Sequence, residues 1–135
     1  MSASVLESIA SHLEFLGYEI STIPEKKAFR AKHARQPNLM VRESGGGILF
    51  TTIWRANETA KSDRAGFLHG INAMNEQAMV ARFYTDHDES DLGFFIEAWY
   101  PDFYDKCRFG EFLEVLRHDF HLLGDDDIDM KRFLC

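Results

Sequence analysis

The sequence predicts an α+β fold in which helices pack on a five-stranded antiparallel sheet. Two observations lead to this: apolar residues recur with helical spacing in three segments, and they alternate with polar residues in five shorter ones. The segments follow one another in the order α-β-β-β-α-β-β-α. With 135 residues the chain has the length of one domain. We predict a single domain over 1–135, whose last segment, 124–135, either docks back onto it or is flexible.

The first helix is predicted over 4–16. Ser4 and Glu7 have the spacing of a capping box, in which the two residues satisfy each other's free backbone N–H groups. Gly17 then supplies the residue type that commonly follows the end of a helix. The apolar stripe that would face the core consists of Leu6, Ile9, Leu13 and Leu16.

Between residues 18 and 55 the apolar period changes to two, which is typical of half-buried strands. The predicted strands are centred, in order, on 29–33, 39–42 and 48–54. The turn at 36–38 contains proline and asparagine, and the triple glycine at 45–47 favours a turn with positive φ. We therefore predict three consecutive antiparallel strands in this part of the chain.

The second half of the chain contains two helices around a pair of strands. Capping residues precede a helical stripe and predict a helix over 62–78. Strands are predicted over 79–85 and 92–100, joined by an acidic turn. The last helix is predicted over 105–123. Its apolar stripe consists of Phe109, Phe112, Leu113, Leu116, Phe120 and Leu123.

Charge and composition limit the classes of partner. The formal net charge is −7, yet residues 25–64 hold nine Lys and Arg against four Asp and Glu, a balance of +5 that leaves −12 elsewhere. This overall acidity argues against nucleic acid, because phosphate binding needs clustered cations. The apolar runs fall short of the roughly 18 residues of a membrane span, and no leader or lipidation motif is visible. Because Cys107 and Cys135 do not suggest a disulfide framework, we predict a cytoplasmic protein without membrane contact.

Several short motifs between residues 13 and 123 point to a known family. They are Ile71-Asn72 with Asn75, Val80 to Tyr84 with Asp86 and Asp88, and Phe109 to Leu116 with Asp119. Together they resemble the bacterial YbjN family, whose members are described as proposed sensory-transduction regulators with the fold of type III secretion chaperones. The resemblance implies a non-enzymatic adaptor or chaperone-like domain, often dimeric, with no established catalytic residues. Usual members have a glycine in the hairpin turn, where this chain has Glu-Ser-Asp at 89–91.

The acidic turn comes closest to a metal site. Positions 1, 3, 5, 7 and 12 of a calcium-loop pattern are occupied by Asp86, Asp88, Ser90, Leu92 and Glu97. The sixth position needs glycine and is Asp91, and the flanking segments are predicted strands, so a solvated turn is the favoured interpretation. On the last helix, His118 and His121 lack an evident third ligand for zinc. We predict neither a metal nor a cofactor.

Groups for catalysis do not converge in the sequence. Cys107 lies beside two cations near a helix start, but no histidine or asparagine can be placed next to it. Asn72 and Asn75 share one face of a predicted helix and are candidates for binding a polar ligand, although capping the helix end is the simpler role. Because neither an acid–base pair nor a nucleophile–base pair can be assembled, an enzyme is the least favoured class.

The outer surface of the sheet is the best candidate for binding. Phe95 and Trp99 are predicted to point away from the core face of their strand, and Arg82 and Tyr84 of the preceding strand join them. Met40 of an earlier strand is predicted on the same face. Aromatic side chains mixed with arginine are typical of protein contact surfaces. The alternative is that the second helix or the tail covers them within the monomer.

These patterns predict a non-enzymatic bacterial regulator or chaperone-like adaptor that acts by protein–protein contact. The expected partners are a protein of unidentified type and a second copy of the chain, bound in a homodimer with one isologous interface. The alternative function is a small-ligand or metal-binding sensor that uses the acidic hairpin at 86–91.

Overall fold

The computed structural model describes residues 4–86 and 90–135. Its strands are β1 (Glu19–Thr22), β2 (Ala28–Lys32), β3 (Leu39–Ser44), β4 (Gly47–Arg55), β5 (Ala81–Thr85) and β6 (Gly93–Pro101). Its α-helices are α1 (Val5–Phe15), α2 (Glu58–Ser62), α3 (Arg64–Gln77) and α4 (Lys106–His121), and 3-10 helices follow at Leu122–Gly124 and Met130–Phe133. The strands form one antiparallel sheet in the order β1-β2-β3-β4-β6-β5, so the predicted α+β class is confirmed.

One strand and one α-helix were not predicted from the sequence. The sheet has six strands instead of five because β1 precedes the three strands predicted before residue 55. All four residues of β1 are at least partly exposed, so its sequence has no apolar alternation. It is defined by pairing with β2, where Ile20 lies opposite Ala31. The other element, α2, is a five-residue helix, too short to show a helical stripe, and Ala60 is its buried residue.

The chain divides into two compact units. The first unit comprises Met1–Thr52 and Ala98–Phe112, and the second comprises Ile53–Glu97 and Leu113–Cys135. In the first unit the inner face of the sheet packs against α1 and the start of α4. Its core is aromatic, with the Phe50 ring 5.3 Å from Phe112 and 5.9 Å from Phe109. Other fully or almost fully buried side chains of this unit are Ile9, Leu13, Phe29, Ala31, Leu39, Val41 and Ile48.

The predicted first helix and glycine turn agree with the structure of the first unit. Ser4 Oγ accepts a hydrogen bond from the Glu7 backbone N–H group at 3.1 Å, which caps α1. Gly17 has a φ of +97° at the end of that helix. Between β3 and β4, Gly45 and Gly46 have φ angles of +60° and +75°, as the prediction of a positive-φ turn requires.

In the second unit, α3 and the tail (residues 124–135) pack against the inner face of β5 and β6 and form its core. Phe94 of β6 packs against Phe83 and Phe67, at ring distances of 6.1 and 6.2 Å. Phe67 of α3 also contacts Phe133 of the tail at 5.4 Å. Leu92, Ile96, Met74 and Leu116 complete this buried set.

Of the two alternatives for the tail, the structure shows the docked one. Met130 and Phe133 are fully buried. The Asn57 backbone N–H group donates to the Phe133 carbonyl at 2.9 Å, and Leu134 forms a β-bridge with Ala56. The tail therefore belongs to the core of the second unit.

Candidate functional site

The outer face of β5 and β6, within the second unit, carries three of the predicted contact residues. Alternation along the strands turns Phe83, Phe94 and Ile96 inward and leaves Arg82, Tyr84 and Phe95 on the other face. The half-buried Tyr84 and Phe95 rings stack with centroids 4.9 Å apart and planes inclined by 10°. The Arg82 guanidinium lies over the Tyr84 ring at 5.5 Å. We call Arg82, Tyr84 and Phe95 the aromatic–arginine cluster.

A buried carboxylate fixes the arginine of this cluster. Arg82 Nε donates to Glu97 Oε1 at 3.0 Å, and the guanidinium makes a second bond to the same oxygen. The Glu97 side chain is 6% exposed, whereas that of Arg82 is 72% exposed. The hydrogen bond and charge of Glu97 raise the pKa of Arg82 above its usual value, so the guanidinium stays charged. The cluster thus presents a cation and two rings whose positions are set before any partner arrives.

Trp99 and Met40, the other two predicted contact residues, belong to the first unit. The Trp99 indole N–H donates to the Ser44 carbonyl at 3.0 Å, and its ring lies against Gly47, where a Cβ atom would collide with it. Trp99 therefore fastens the glycine turn between β3 and β4, although 49% of the residue is exposed. Met40 is half-buried, and its register neighbours are Arg30 and Thr51.

The two asparagines proposed as ligand candidates have different environments. Asn75 binds the backbone of β5 twice: its amide nitrogen donates to the Phe83 carbonyl, and its oxygen accepts from the Phe83 N–H group, both at 2.8 Å. Asn72 is exposed like Asn75, but its amide nitrogen donates to a side-chain oxygen, Glu76 Oε1, at 3.2 Å. Asn75 therefore acts as a substitute strand along the edge of β5, and the two amides do not converge on one bond partner.

Asp119 is a buried carboxylate whose role the sequence analysis did not identify. It is fully buried in α4 and accepts hydrogen bonds of 2.8 to 3.1 Å from the backbone N–H groups of Met79, Val80 and Ala81. These donors lie just before and at the start of β5. The visible signal was an aspartate three residues after Leu116, on the buried stripe of the last helix.

The acidic hairpin is described only in part, because Asp88 and Glu89 lie outside the described residues. Asp86 Oδ1 accepts from the Gly93 N–H group at 3.2 Å, and Asp91 pairs with Arg55 at 3.1 Å. Glu97, the last position of the calcium pattern, is bound to Arg82. Within 4–86 and 90–135, no group of three or more His, Cys, Asp or Glu side chains is placed to hold a metal ion. Of the two histidines considered for zinc, His118 has its Nδ1 atom 3.4 Å from Asp119 Oδ1.

A groove between α1 and the start of α4, in the first unit, was not predicted. It has a volume of about 730 Å³ and is lined by Ser8, Ser11, His12, Phe15, Leu16, Tyr104, Lys106, Cys107 and Gly110. Phe15 is 83% exposed at its rim, beneath the Lys106 ammonium group at 6.0 Å. The available signal was Phe15-Leu16, an apolar pair that extends α1 past its last buried residue, Leu13.

His12 is the titratable group inside this groove. Its Nδ1 atom lies 2.9 Å from the Tyr104 hydroxyl, and its ring meets Phe109 edge to face at 5.0 Å. Burial, and then the charge of Lys106, lower the pKa of His12 below its usual 6.5. The imidazole is therefore neutral at physiological pH and hydrogen-bonds the tyrosine. His12 and Tyr104 thus form a hydrogen-bonded pair in the lining of the groove.

In the described residues, none of the helices combines the length and apolar character that a membrane crossing requires.

No protein-family model matches the sequence, and none of the curated proteins matches it significantly. Solved structures do match in shape. YbjN from E. coli, described as a candidate transcription regulator, aligns with a TM-score of 0.70 and 14% identity over 99% of both chains. An uncharacterised protein from Methanothermobacter thermautotrophicus aligns with a TM-score of 0.64 and 14% identity over 96% of this chain and 99% of that one. The chain therefore has the YbjN fold, as its motifs predicted.

Proposed function

We propose that this protein is a non-enzymatic cytoplasmic regulator or adaptor that acts by protein–protein contact as a homodimer. The observation that carries the proposal is the aromatic–arginine cluster of Arg82, Tyr84 and Phe95 on the outer sheet face of the second unit. Fold similarity to an E. coli protein described as a candidate transcription regulator is compatible with a regulatory role. The cluster supplies the physical argument for contact.

Three properties favour the cluster as the dimer interface. Tyrosine and arginine are, with tryptophan, enriched among the residues that dominate binding energy. The ring stack and the Arg82–Glu97 bonds already restrict these side chains, so their ordering costs little entropy on association. The charge of Glu97 is compensated, so bringing a second cluster against this face does not bury an unpaired carboxylate. An isologous contact would place the same cluster on both sides of a two-fold axis.

The non-enzymatic part of the proposal is supported by how three buried or half-buried polar side chains are used. Asp119 accepts hydrogen bonds from three backbone N–H groups, Glu97 binds Arg82, and His12 binds Tyr104. A general base or nucleophile needs a partner oriented toward a reacting group. In the described part of the chain these three side chains hold other parts of the protein in place.

Sedimentation equilibrium of the full chain tests the dimer. Replacing Phe95 and Tyr84 together by alanine should weaken self-association at least tenfold, which corresponds to about 1.4 kcal/mol, while circular dichroism shows an intact fold. Leu68→Ala removes an exposed apolar side chain from α3 in the same unit and should leave the association unchanged. A monomeric wild-type protein would overturn the homodimer, and so would a double variant that dimerises as strongly as wild type.

A further inference from the structure

The outer face of β2 and β3, in the first unit, carries three exposed cations. Arg30 and Lys32 are two residues apart on β2 and so point to the same face, and Arg42 lies on β3. Arg30 lies opposite Met40, and Arg42 lies opposite Ala28. The two arginines are therefore diagonal neighbours on one face of the sheet, and the Cα atoms of such neighbours are about 7–8 Å apart. We call Arg30, Lys32 and Arg42 the basic face.

This positive charge is not neutralised by ion pairs in the described residues. The salt bridges there join other residues, such as Lys27 and Glu43 at 3.6 Å, and none includes a cation of the basic face. Glu19 lies opposite Lys32 in the strand register, which brings one carboxylate near one end of the face. Three like charges on adjacent strands repel one another. In a chain with a net charge of −7, this face is a local concentration of exposed positive charge, which is complementary to an acidic partner.

The residues between the cations are almost all buried. Ala28, Leu49 and Thr51 lie on the same face as the cations and are each at most 9% exposed, and Met40 beside them is half-buried. Thr51 Oγ1 is buried and lacks a hydrogen-bond partner within 4–86 and 90–135. The exposed atoms of this face therefore belong mainly to its three cations.

We propose that the basic face binds an extended acidic segment of a partner protein. Alternate side chains of an extended chain are about 6.6–6.8 Å apart, which matches the spacing of cations on adjacent strands. Carboxylates at alternate positions pair with Arg30, Arg42 and Lys32, and arginine binds them with two parallel hydrogen bonds. The intervening side chains of the segment point away from the sheet, because successive side chains of an extended chain face opposite sides. This inference rests on the proposed adaptor function and names the chemistry of its client.

Charge argues for a peptide over a nucleic acid as the occupant. Three cations neutralise roughly three phosphates, about half or less of the 6–10 contacts that a typical DNA-binding surface makes. The residues outside 25–64 carry a net charge of −12, which repels a long polyanion. A short acidic segment meets only the local positive charge.

Fluorescence anisotropy with a labelled peptide of alternating aspartate and leucine tests the proposal. The full-length protein should bind this peptide, and the affinity should fall as salt is added. The variant R30Q/K32Q/R42Q should bind at least tenfold more weakly. The variant K26Q/R35Q/R117Q removes the same amount of charge from exposed positions elsewhere and should bind like wild type.

Each other outcome has a defined meaning. The basic face is excluded if wild type does not bind the peptide, or if both triple variants weaken binding equally. Tighter binding of a single-stranded oligonucleotide than of the peptide would assign the face to nucleic acid instead. Sedimentation of R30Q/K32Q/R42Q should show the wild-type association state, and dissociation would assign the face to contact between copies. Because the Tyr84 and Phe95 double variant should still bind the peptide, failure of the dimer and failure of this inference are distinguishable.

Discussion

Three polar side chains of this protein, one buried and two exposed, complete the hydrogen bonding of its backbone. Asp119 binds the N–H groups that lead into β5, and Asn75 binds that strand at Phe83. Trp99 binds the carbonyl of Ser44 at the glycine turn. Backbone groups that lack a partner in a buried place cost free energy, so these side chains stabilise segments whose conformation is otherwise irregular.

Asp119→Ala should lower the free energy of unfolding by about 2–3 kcal/mol. The carboxylate is fully buried and its three donors would lose a charged acceptor, although Met79 is 67% exposed and its N–H group can bind water instead. Urea denaturation of the variant measures the loss. Asp126→Ala removes an exposed carboxylate from the tail and should change stability by less than about 0.5 kcal/mol. Equal stability of the two variants would contradict a structural role for Asp119.

His12 should titrate below 6.5 in the folded protein, because burial and Lys106 disfavour its charged form. NMR of the imidazole protons measures this pKa. Lys106→Gln should raise it back toward 6.5, whereas Lys131→Gln in the second unit should not. The unfolded imidazole binds a proton more readily than the folded one, so stability falls as the pH decreases from about 6.5 to the folded-state pKa. A pKa at or above 6.5 in wild type would refute this.

At the scale of elements, the two edges of the sheet are treated differently. Along β5, the Ala81 N–H group is bound by Asp119, and both backbone groups of Phe83 are bound by Asn75. Side chains thus occupy the hydrogen-bonding groups through which another strand would add to this edge. At the other edge, β1 is four residues long and mostly exposed, and shortness is another way to limit strand addition.

Asn75→Ala should therefore open the β5 edge. The free energy of unfolding should fall by about 1 kcal/mol, because two hydrogen bonds are replaced by bonds to water. Self-association should also increase, since the Phe83 backbone becomes available to a strand of another molecule. Denaturation and light scattering measure the two effects. Asn72→Ala is the matched control, because Asn72 is exposed like Asn75 but bonds the Glu76 side chain and not the backbone of β5. Identical behaviour of both variants would show that Asn75 does not protect the edge.

At the scale of the whole molecule, the elements that could be predicted from the sequence are those that depend on a local residue pattern. Helix α1 was predicted because the capping residue Ser4 and the apolar stripe of the helix are both local signals. The alternation of side chains along the two strands predicted that Arg82, Tyr84 and Phe95 lie on the outer face, as the structure shows. By contrast, β1 is recognised only through its pairing with β2, and α2 is too short for a stripe.

The parts that sequence reasoning missed depend on residues far apart in the chain. The bond from Trp99 to Ser44 connects positions that no local pattern relates, as do those from Asp119 to residues 79–81. The groove beside Phe15 requires the start of α4 to lie along α1. The docked tail was one of two open alternatives because the apolar Met130 and Phe133 follow a strongly acidic stretch.

The tail is the part of the chain where local composition and observed structure differ most, and Phe133→Ala tests its contribution. Phe133 is fully buried and its ring contacts Phe67, so the substitution should lower the free energy of unfolding by about 3–5 kcal/mol. Lys131→Ala changes an exposed residue two positions away and should have little effect. Hydrogen exchange should show faster exchange at Asn57 and Leu134, whose N–H groups bond within this region. If Phe133→Ala and Lys131→Ala unfold at the same urea concentration, the tail contributes nothing to the core.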